Sequence, residues 1–264
     1  MNIKFYKYHG AGNDFVLIDN RKKFFKAKPK EVSFICDRHF GVGADGLMLL
    51  ENHDSLDFTM RYFNADGHEA TMCGNGGRCI VAFAKSLGII ENATQFMASD
   101  GAHNAVIKEE EKGVCQVKLE MQDVDLSSLK TKPYFLDTGS PHHIQIVDDI
   151  DKMQPNVAGA EIRYSDEYKA IGGTNVNFIQ PLGERKIKIR TYERGVEWET
   201  LACGTGSTAA AIYHGINKHL SNAKIQVEAV GGNLEVSYEI LGNFARNIFL
   251  AGPAEMVFYG QIEI

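Results

Sequence analysis

Two cysteines of this 264-residue chain stand in matching frames, Met72-Cys73-Gly74-Asn75-Gly76 and Ala202-Cys203-Gly204-Thr205-Gly206, each followed by an apolar, alanine-rich run of helical character. At a helix N-terminus the unpaired N–H groups and the helix dipole stabilise an anion, so a thiol there is drawn from roughly 8.5 toward neutrality. The glycines have a second use. Without Cβ atoms they let the backbone amides of Gly74, Asn75, Gly204 and Thr205 approach a carboxylate closely. Two equivalent acid/base groups suit one reaction type well: one removes a proton from one face of a carbon while the other returns a proton to the opposite face. That chemistry is racemisation or epimerisation.

The elements that must position the thiols repeat with them. Cys73 and Cys203 are 130 residues apart, close to half the chain. At nearly the same offset, Arg61-Tyr62-Phe63-Asn64-Ala65-Asp66-Gly67 precedes the first cysteine and Arg190-Thr191-Tyr192-Glu193-Arg194-Gly195 the second, and Gly43-Ala44-Asp45 corresponds to Gly173-Thr174-Asn175. Each block reads as a strand, a glycine turn, then a thiol and a helix, and three matches in order favour a duplicated fold. Alternating and β-branched segments outnumber helical ones throughout. Helices are expected to begin near Lys30, Gly74 and Gly204, with Gly88 and Gly215 near their ends as caps. Lys108-Glu109-Glu110-Glu111-Lys112-Gly113 reads as a hairpin tip.

Composition bounds the function. A net charge of −6 argues against a general nucleic-acid binder, and no stretch is long and apolar enough to span a bilayer. The N-terminal residues lack a signal-peptide pattern, and five cysteines, an odd number, point to reduced thiols in a cytoplasmic setting. Cys36, Cys79 and Cys115 have no repeat partner and read as core. Zinc is disfavoured because Cys73 and Cys79 are too far apart for a short knuckle and no second knuckle exists. Gly41-Val42-Gly43-Ala44-Asp45-Gly46 fits the dinucleotide G-x-G-x-x-G pattern in the wrong context, following a helix-like segment and opening a strand, so it reads as a turn.

Taken together, His9-Gly10-Ala11-Gly12-Asn13-Asp14-Phe15, Phe63-Asn64-Ala65-Asp66-Gly67, the two cysteine frames and Tyr192-Glu193-Arg194-Gly195 make the chain resemble the diaminopimelate epimerase family from end to end. The resemblance implies an α/β (α+β type) fold of two pseudo-symmetric domains, residues 1–119 with 252–264 and residues 120–251. Each would be a mixed, largely antiparallel sheet curled around a central helix, with the site in the cleft between them. It implies a pyridoxal-phosphate-independent isomerase, without cofactor or metal, that interconverts LL- and meso-diaminopimelate for lysine and peptidoglycan-precursor synthesis. It also implies a homodimer whose other partner is a small amino-acid substrate. Cys73 and Cys203 match the catalytic acid/base residues, and Gly74, Asn75, Gly204 and Thr205 the amide donors to the reacting carboxylate. Asn13, Asn64, Asn175, Glu193 and Arg194 match substrate-binding positions, with Arg194 suited to a bidentate grip on the distal carboxylate. His142 and Glu193 match residues that tune the thiols.

Two positions depart from the family pattern: Gly46 stands where many members have Gln, and Ser140 where they have Asn, which puts direct contacts from both in doubt. One extra residue before Cys203, in Val196-Glu197-Trp198-Glu199, is expected to lengthen a loop. The alternative reading is a racemase or epimerase of another amino acid, such as proline or hydroxyproline, which uses the same paired-thiol logic; Arg194 and Asn64, polar partners for a distal amino-acid end, speak against it.

Overall fold

The structure, a computed structural model, describes residues 1–264, and the chain divides into two compact units, Met1–Leu119 with Gly252–Ile264 and Glu120–Ala251. The first contains β1 (Asn2–Gly10), β2 (Asn13–Asp19), α1 (Pro29–Cys36), β3 (Gly46–Glu51), β4 (Phe58–Asn64), α2 (Gly74–Ser86), β5 (Ala93–Ala98), β6 (Gly101–Glu111) and β7 (Val114–Glu120). The second contains β8 (Val124–Asp125), β9 (Phe135–Asp137), β10 (Pro141–Ile146), α3 (Pro155–Arg163), α4 (Asp166–Lys169), β11 (Asn175–Gly183), β12 (Lys186–Glu193), β13 (Trp198–Thr200), α5 (Gly204–Asn217), β14 (Asn222–Ala229) and β15 (Gly232–Leu241). The last strand, β16 (Phe244–Glu263), pairs up to Ala251 with β15 and from Gly252 with β7 and β1.

In the first unit β1 to β7 pair in chain order, and the C-terminal part of β16 pairs with both β7 and β1, so the ladder closes on itself. Closure removes the exposed strand edge. Helix α2 packs against β1, β2, β3, β4 and β6 and is buried from Gly74 through Ala84. A helix buried along nearly its whole length belongs inside a sheet rather than on its surface. In the second unit the order is β9-β10-β11-β12-β14-β15-β16, and α5 packs against six of those strands. The fold is thus mixed α/β and sheet-dominated, with a central helix in each unit.

The same three-strand ladder appears twice. In the first unit β2 runs parallel to β3, with Phe15 opposite Gly46, and β3 runs antiparallel to β4, with Gly46 opposite Asn64. In the second, β10 runs parallel to β11, with His142 opposite Asn175, and β11 runs antiparallel to β12, with Val176 opposite Tyr192. Gly46 and Asn175 each open the middle strand, and Asn64 and Glu193 each close the next.

Local chemistry explains most of these elements. Of the acidic run only Lys112 and Gly113 are the tip of the β6–β7 hairpin, both with positive φ as a two-residue type I′ turn requires, while residues 108–111 continue β6. The glycine-rich stretch before Leu47 is a turn, with Val42 and Gly43 N–H both donating to the Ile35 carbonyl at the end of α1. Gly88 follows α2 with φ +70, as a C-terminal cap does. Gly215 does not cap anything: it lies inside α5, where a Cβ would sit 1.6 Å from the Tyr238 hydroxyl, and the positive φ after the helix belongs to His219. The longer loop expected around Val196–Glu199 is a hairpin, because Trp198–Thr200 turns back as β13 along β12.

Candidate active site

Each unit places one cysteine as the N-cap of its central helix. Cys73 has φ −105 and ψ 126, Cys203 φ −118 and ψ 116, and neither side chain caps its helix. The carbonyls of the two cysteines accept the first helical bonds, from Gly77 N at 2.7 Å and Ser207 N at 2.8 Å. Neither helix has an acidic residue in its first turn, so nothing on the helix itself competes for the positive end of the dipole. The sequence therefore builds the same device twice: an extended residue turns a thiol away from the helix axis while the following amides remain directed forward. Cys36, Cys79 and Cys115 are buried, and burial pushes all three thiols above their ordinary value.

Around Cys73 the polar groups form a chain with fixed polarity. Asp45 Oδ2 accepts from Asn13 Nδ2 at 2.7 Å, so Asn13 turns its carbonyl oxygen toward Cys73 Sγ, 3.8 Å away. The same oxygen accepts from Asn75 Nδ2 at 3.2 Å. Asp45 is in turn held by Arg38 at 2.7 Å, and Arg38 and Lys7 both pair with Asp14. Burial alone would raise the Asp14 carboxyl, but hydrogen bonds and charge from Arg38 and Lys7 outweigh it and hold it down at about 2. Asn64 ends β4, exposed and opposite Gly46. A Cβ on Gly46 would lie 2.5 Å from the Tyr62 ring and 2.6 Å from the Phe63 carbonyl. The Tyr62 ring occupies the space that a longer side chain at position 46 would need. Tyr62 carries no mark of its own in the sequence; the signal is the glycine, since a missing side chain leaves room for a neighbour.

Around Cys203 the chain is a relay. Asn177 Nδ2 donates to the His143 carbonyl at 3.2 Å and to His142 Nδ1 at 2.9 Å, while its oxygen accepts from Thr191 at 3.1 Å. A carbonyl can only accept, so the amide orientation is fixed and His142 Nδ1 carries no proton. His142 Nε2–H then donates to Thr205 Oγ1 at 3.0 Å, which leaves the Thr205 hydroxyl hydrogen free to donate to a Cys203 thiolate, whose Sγ is 3.5 Å away. His142 is fully buried; burial, reinforced by the Arg194 charge, pushes its pKa down to about 3 and keeps it neutral. Asn177, Thr191 and Thr138, which donates to the Thr205 carbonyl at 3.0 Å, are buried and carry no mark in the sequence either. Asn177 and Thr191 lie in strands and Thr138 directly follows β9, and all three look like ordinary β-sequence.

Ser140 and Asn175 are brought together. Asn175 Nδ2 donates to Ser140 Oγ at 2.9 Å and to the Pro141 carbonyl at 3.0 Å, and its oxygen accepts from Arg194 N at 2.9 Å. Asn175 is 3% exposed, so its bonds set the positions of Ser140 and of the Arg194 backbone. The Arg194 guanidinium donates to the Gly173 carbonyl at 3.3 Å. Glu193 accepts from Thr200 at 2.9 Å across the β12–β13 hairpin. No group of three His, Cys, Asp or Glu side chains is arranged to hold a metal ion, and no helix is long and apolar enough to cross a membrane.

A family model described as diaminopimelate epimerase matches residues 5–126 and 134–257. A diaminopimelate epimerase of Flavobacterium psychrophilum is 49% identical over 257 residues, covering 97% of this chain and 98% of that protein. Among solved structures, a phenazine biosynthesis protein of the PhzF family from Bacillus anthracis superposes with a TM-score of 0.77 at 18% identity, covering all of both chains. A hydroxyproline epimerase from Agrobacterium vitis superposes with a TM-score of 0.70 at 14% identity, covering 99% of this chain and 92% of that one. At such identities the two structures speak for the fold alone.

Proposed function

The chain belongs to the diaminopimelate epimerase family, a family of isomerases, and from that premise we propose that it interconverts LL- and meso-diaminopimelate by direct proton transfer at one α-carbon, with Cys73 and Cys203 as the two acid/base groups. The observation that carries this reading is the pair of N-cap thiols on equivalent buried helices, neither used for capping. One thiolate takes the α-proton while the other thiol donates its proton to the opposite face; the products are the inverted carbon and a thiol/thiolate pair with exchanged roles. In the reverse direction each does the other's work.

The amides of Gly74, Asn75, Gly204 and Thr205 suit the α-carboxylate, where they would offset the charge that develops as the Cα–H bond breaks. Asn13 and Asn64 are assigned to substrate polar groups, and Arg194 to the distal carboxylate. Glu193 is assigned to both binding and thiol tuning. His142, neutral and with one tautomer fixed, would act on Cys203 through the Thr205 hydroxyl. Ser140 retains a hydroxyl donor beside Asn175, whereas Gly46 offers no side chain, and the Tyr62 hydroxyl is the nearest side-chain polar group to the space left there.

We further read the protein as a cytoplasmic enzyme of lysine and peptidoglycan-precursor synthesis that acts as a homodimer. Five cysteines outside any disulfide support the first part and the exposed apolar run Met256–Tyr259 on β16 the last. Solvent exchange tests the substrate and the reaction together. In heavy water the enzyme should place one solvent deuterium at the inverted carbon of diaminopimelate and leave proline unchanged. Exchange into proline or hydroxyproline, with diaminopimelate inert, would favour the other amino-acid reading.

A further inference from the structure

Arg78 lies on α2 five residues after Cys73, and its side chain is fully buried. Its guanidinium donates through Nη1 to the Gly74 carbonyl at 3.2 Å, through Nη2 to Asn75 Oδ1 at 3.0 Å and through Nε to the Pro253 carbonyl at 3.4 Å. All three acceptors are neutral. Gly10 completes the enclosure, since a Cβ there would lie 3.2 Å from Nη2 and 3.0 Å from the Asn75 carbonyl. A guanidinium taken out of water without a carboxylate is costly unless an anion forms beside it. The titratable groups that act on Arg78 are the thiols of Cys79 and Cys73. Cys79 is itself fully buried, and desolvation pushes its thiol well above the ordinary range, so it stays protonated. Cys73 is only half-buried, and of the two thiols it is the one whose ionised form could sit beside the guanidinium.

The same guanidinium orients the amides. Because Arg78 can only donate, Asn75 must turn its oxygen inward and its Nδ2 toward Asn13. At the far end of the chain the Asp45 carboxylate can only accept from Asn13. The orientation of both amides beside Cys73 is therefore fixed from two ends. The second unit has no such charge at the equivalent place. Thr208, five residues after Cys203 and buried, donates to the Gly204 carbonyl at 3.0 Å, which reproduces the Nη1 bond without the cation.

We propose that Arg78 is the positioning residue of the Cys73 half-site: its buried guanidinium fixes the Gly74 carbonyl and the Asn75–Asn13 amide chain, whose Asn13 oxygen accepts from the Cys73 thiol, and gives Cys73 a positive neighbour once that proton leaves, where the Cys203 half-site has the neutral Thr208. This rests on reading Cys73 as an acid/base group. Charged groups elsewhere in this unit pair with one another: Asp14 and Asp45 with Lys7 and Arg38, and His9 on β1 with Glu255 on β16. Tyr62 on β4 faces the same strand end. Near Cys203 the cation is Arg194, which acts on His142 and is bonded to Gly173.

The test is the pH dependence of iodoacetamide alkylation at Cys73 and Cys203, read peptide by peptide on the full-length protein without substrate. In the natural protein Cys73 should reach half-maximal reactivity below the free-thiol value of roughly 8.5. Arg78→Met, close in volume and neutral, should move that midpoint up by roughly one pH unit or more, while Arg78→Lys, which keeps the charge, should move it less. Cys203 should titrate alike in all three. A Cys73 midpoint at or above the free-thiol value in the natural protein overturns the proposal even if neither variant folds. So does an unmoved midpoint in Arg78→Met, a Lys variant that shifts as far as the Met variant, or an equal shift at Cys203. Turnover is not read, so the outcome is separate from that of the proposed epimerisation, which fails if either cysteine proves dispensable.

Discussion

At the scale of residues, the two thiols share a backbone setting but not a polar one. Cys73 faces the acceptor oxygen of Asn13, whereas Cys203 faces a hydroxyl whose hydrogen is released by the neutral His142. Thr205→Val keeps the backbone amide and removes that hydrogen bond. A hydrogen bond to a charged group contributes about 1.5–3 kcal/mol, so kcat should fall roughly 10- to 100-fold with KM little changed, measured by steady-state epimerisation. His142 makes a separate prediction about pH. Its folded pKa of about 3 lies below the ordinary 6.5, so between those values the unfolded chain binds the extra proton. Above pH 6.5 both states are neutral and the penalty is absent; it grows as pH falls toward 3. His142→Gln should therefore flatten the loss of stability in that window by up to about 1.4 kcal/mol per pH unit, read from urea unfolding at successive pH values. An unaltered slope would mean that His142 titrates normally in the folded protein. The thiols and their amides were readable in the sequence because a cysteine before a glycine-rich helix start has a local meaning. Tyr62, Asn177 and Arg78 were not, because a polar residue inside a strand or helix shows its purpose only through partners distant in the chain.

At the scale of elements, the helices carry the thiols and the close fit of helix to sheet holds them there. Gly215 marks one such approach, and Ala in its place would bring a methyl group to within 1.6 Å of the Tyr238 hydroxyl. Although Ala is the better helix former by about 1 kcal/mol, Gly215→Ala should destabilise the protein by about 1–3 kcal/mol in urea unfolding, because overpacking outweighs propensity. A stabilised variant would show that α5 can move away from β15 at little cost. Hairpins such as β6–β7 were readable because two turn residues determine them. Other elements were hidden by their own composition. Helix α3 contains Gly159, tucked against the Tyr192 side chain, and gives little helical signal. The length of β16 is hidden likewise, since Gly252 and Pro253 read as a break; the strand runs through them at the point where it leaves β15 and pairs with β7.

At the scale of the whole molecule, the duplication seen as an offset of 130 residues is a duplication of strand register, with Gly46 and Asn175 opening equivalent strands and Asn64 and Glu193 closing their neighbours. The repeat in sequence was faint because only the turn and the thiol frame are constrained to particular residues; the strands need only alternate. On β16, Met256, Val257, Phe258 and Tyr259 are each between 42% and 65% exposed, an apolar run that supports the proposed homodimer. Phe258→Asp with Tyr259→Asp should halve the mass observed by sedimentation velocity, and a natural protein that sediments as a monomer would end that proposal. The central claim is that each face of the α-carbon has its own thiol. It is tested most directly by the rate of LL-diaminopimelate epimerisation in Cys73→Ser and Cys203→Ser separately, since a hydroxyl cannot serve as an acid/base of comparable strength at neutral pH. Each single change should slow inversion by at least about a thousandfold, equivalent to about 4 kcal/mol, whereas a natural rate in either variant would contradict the account.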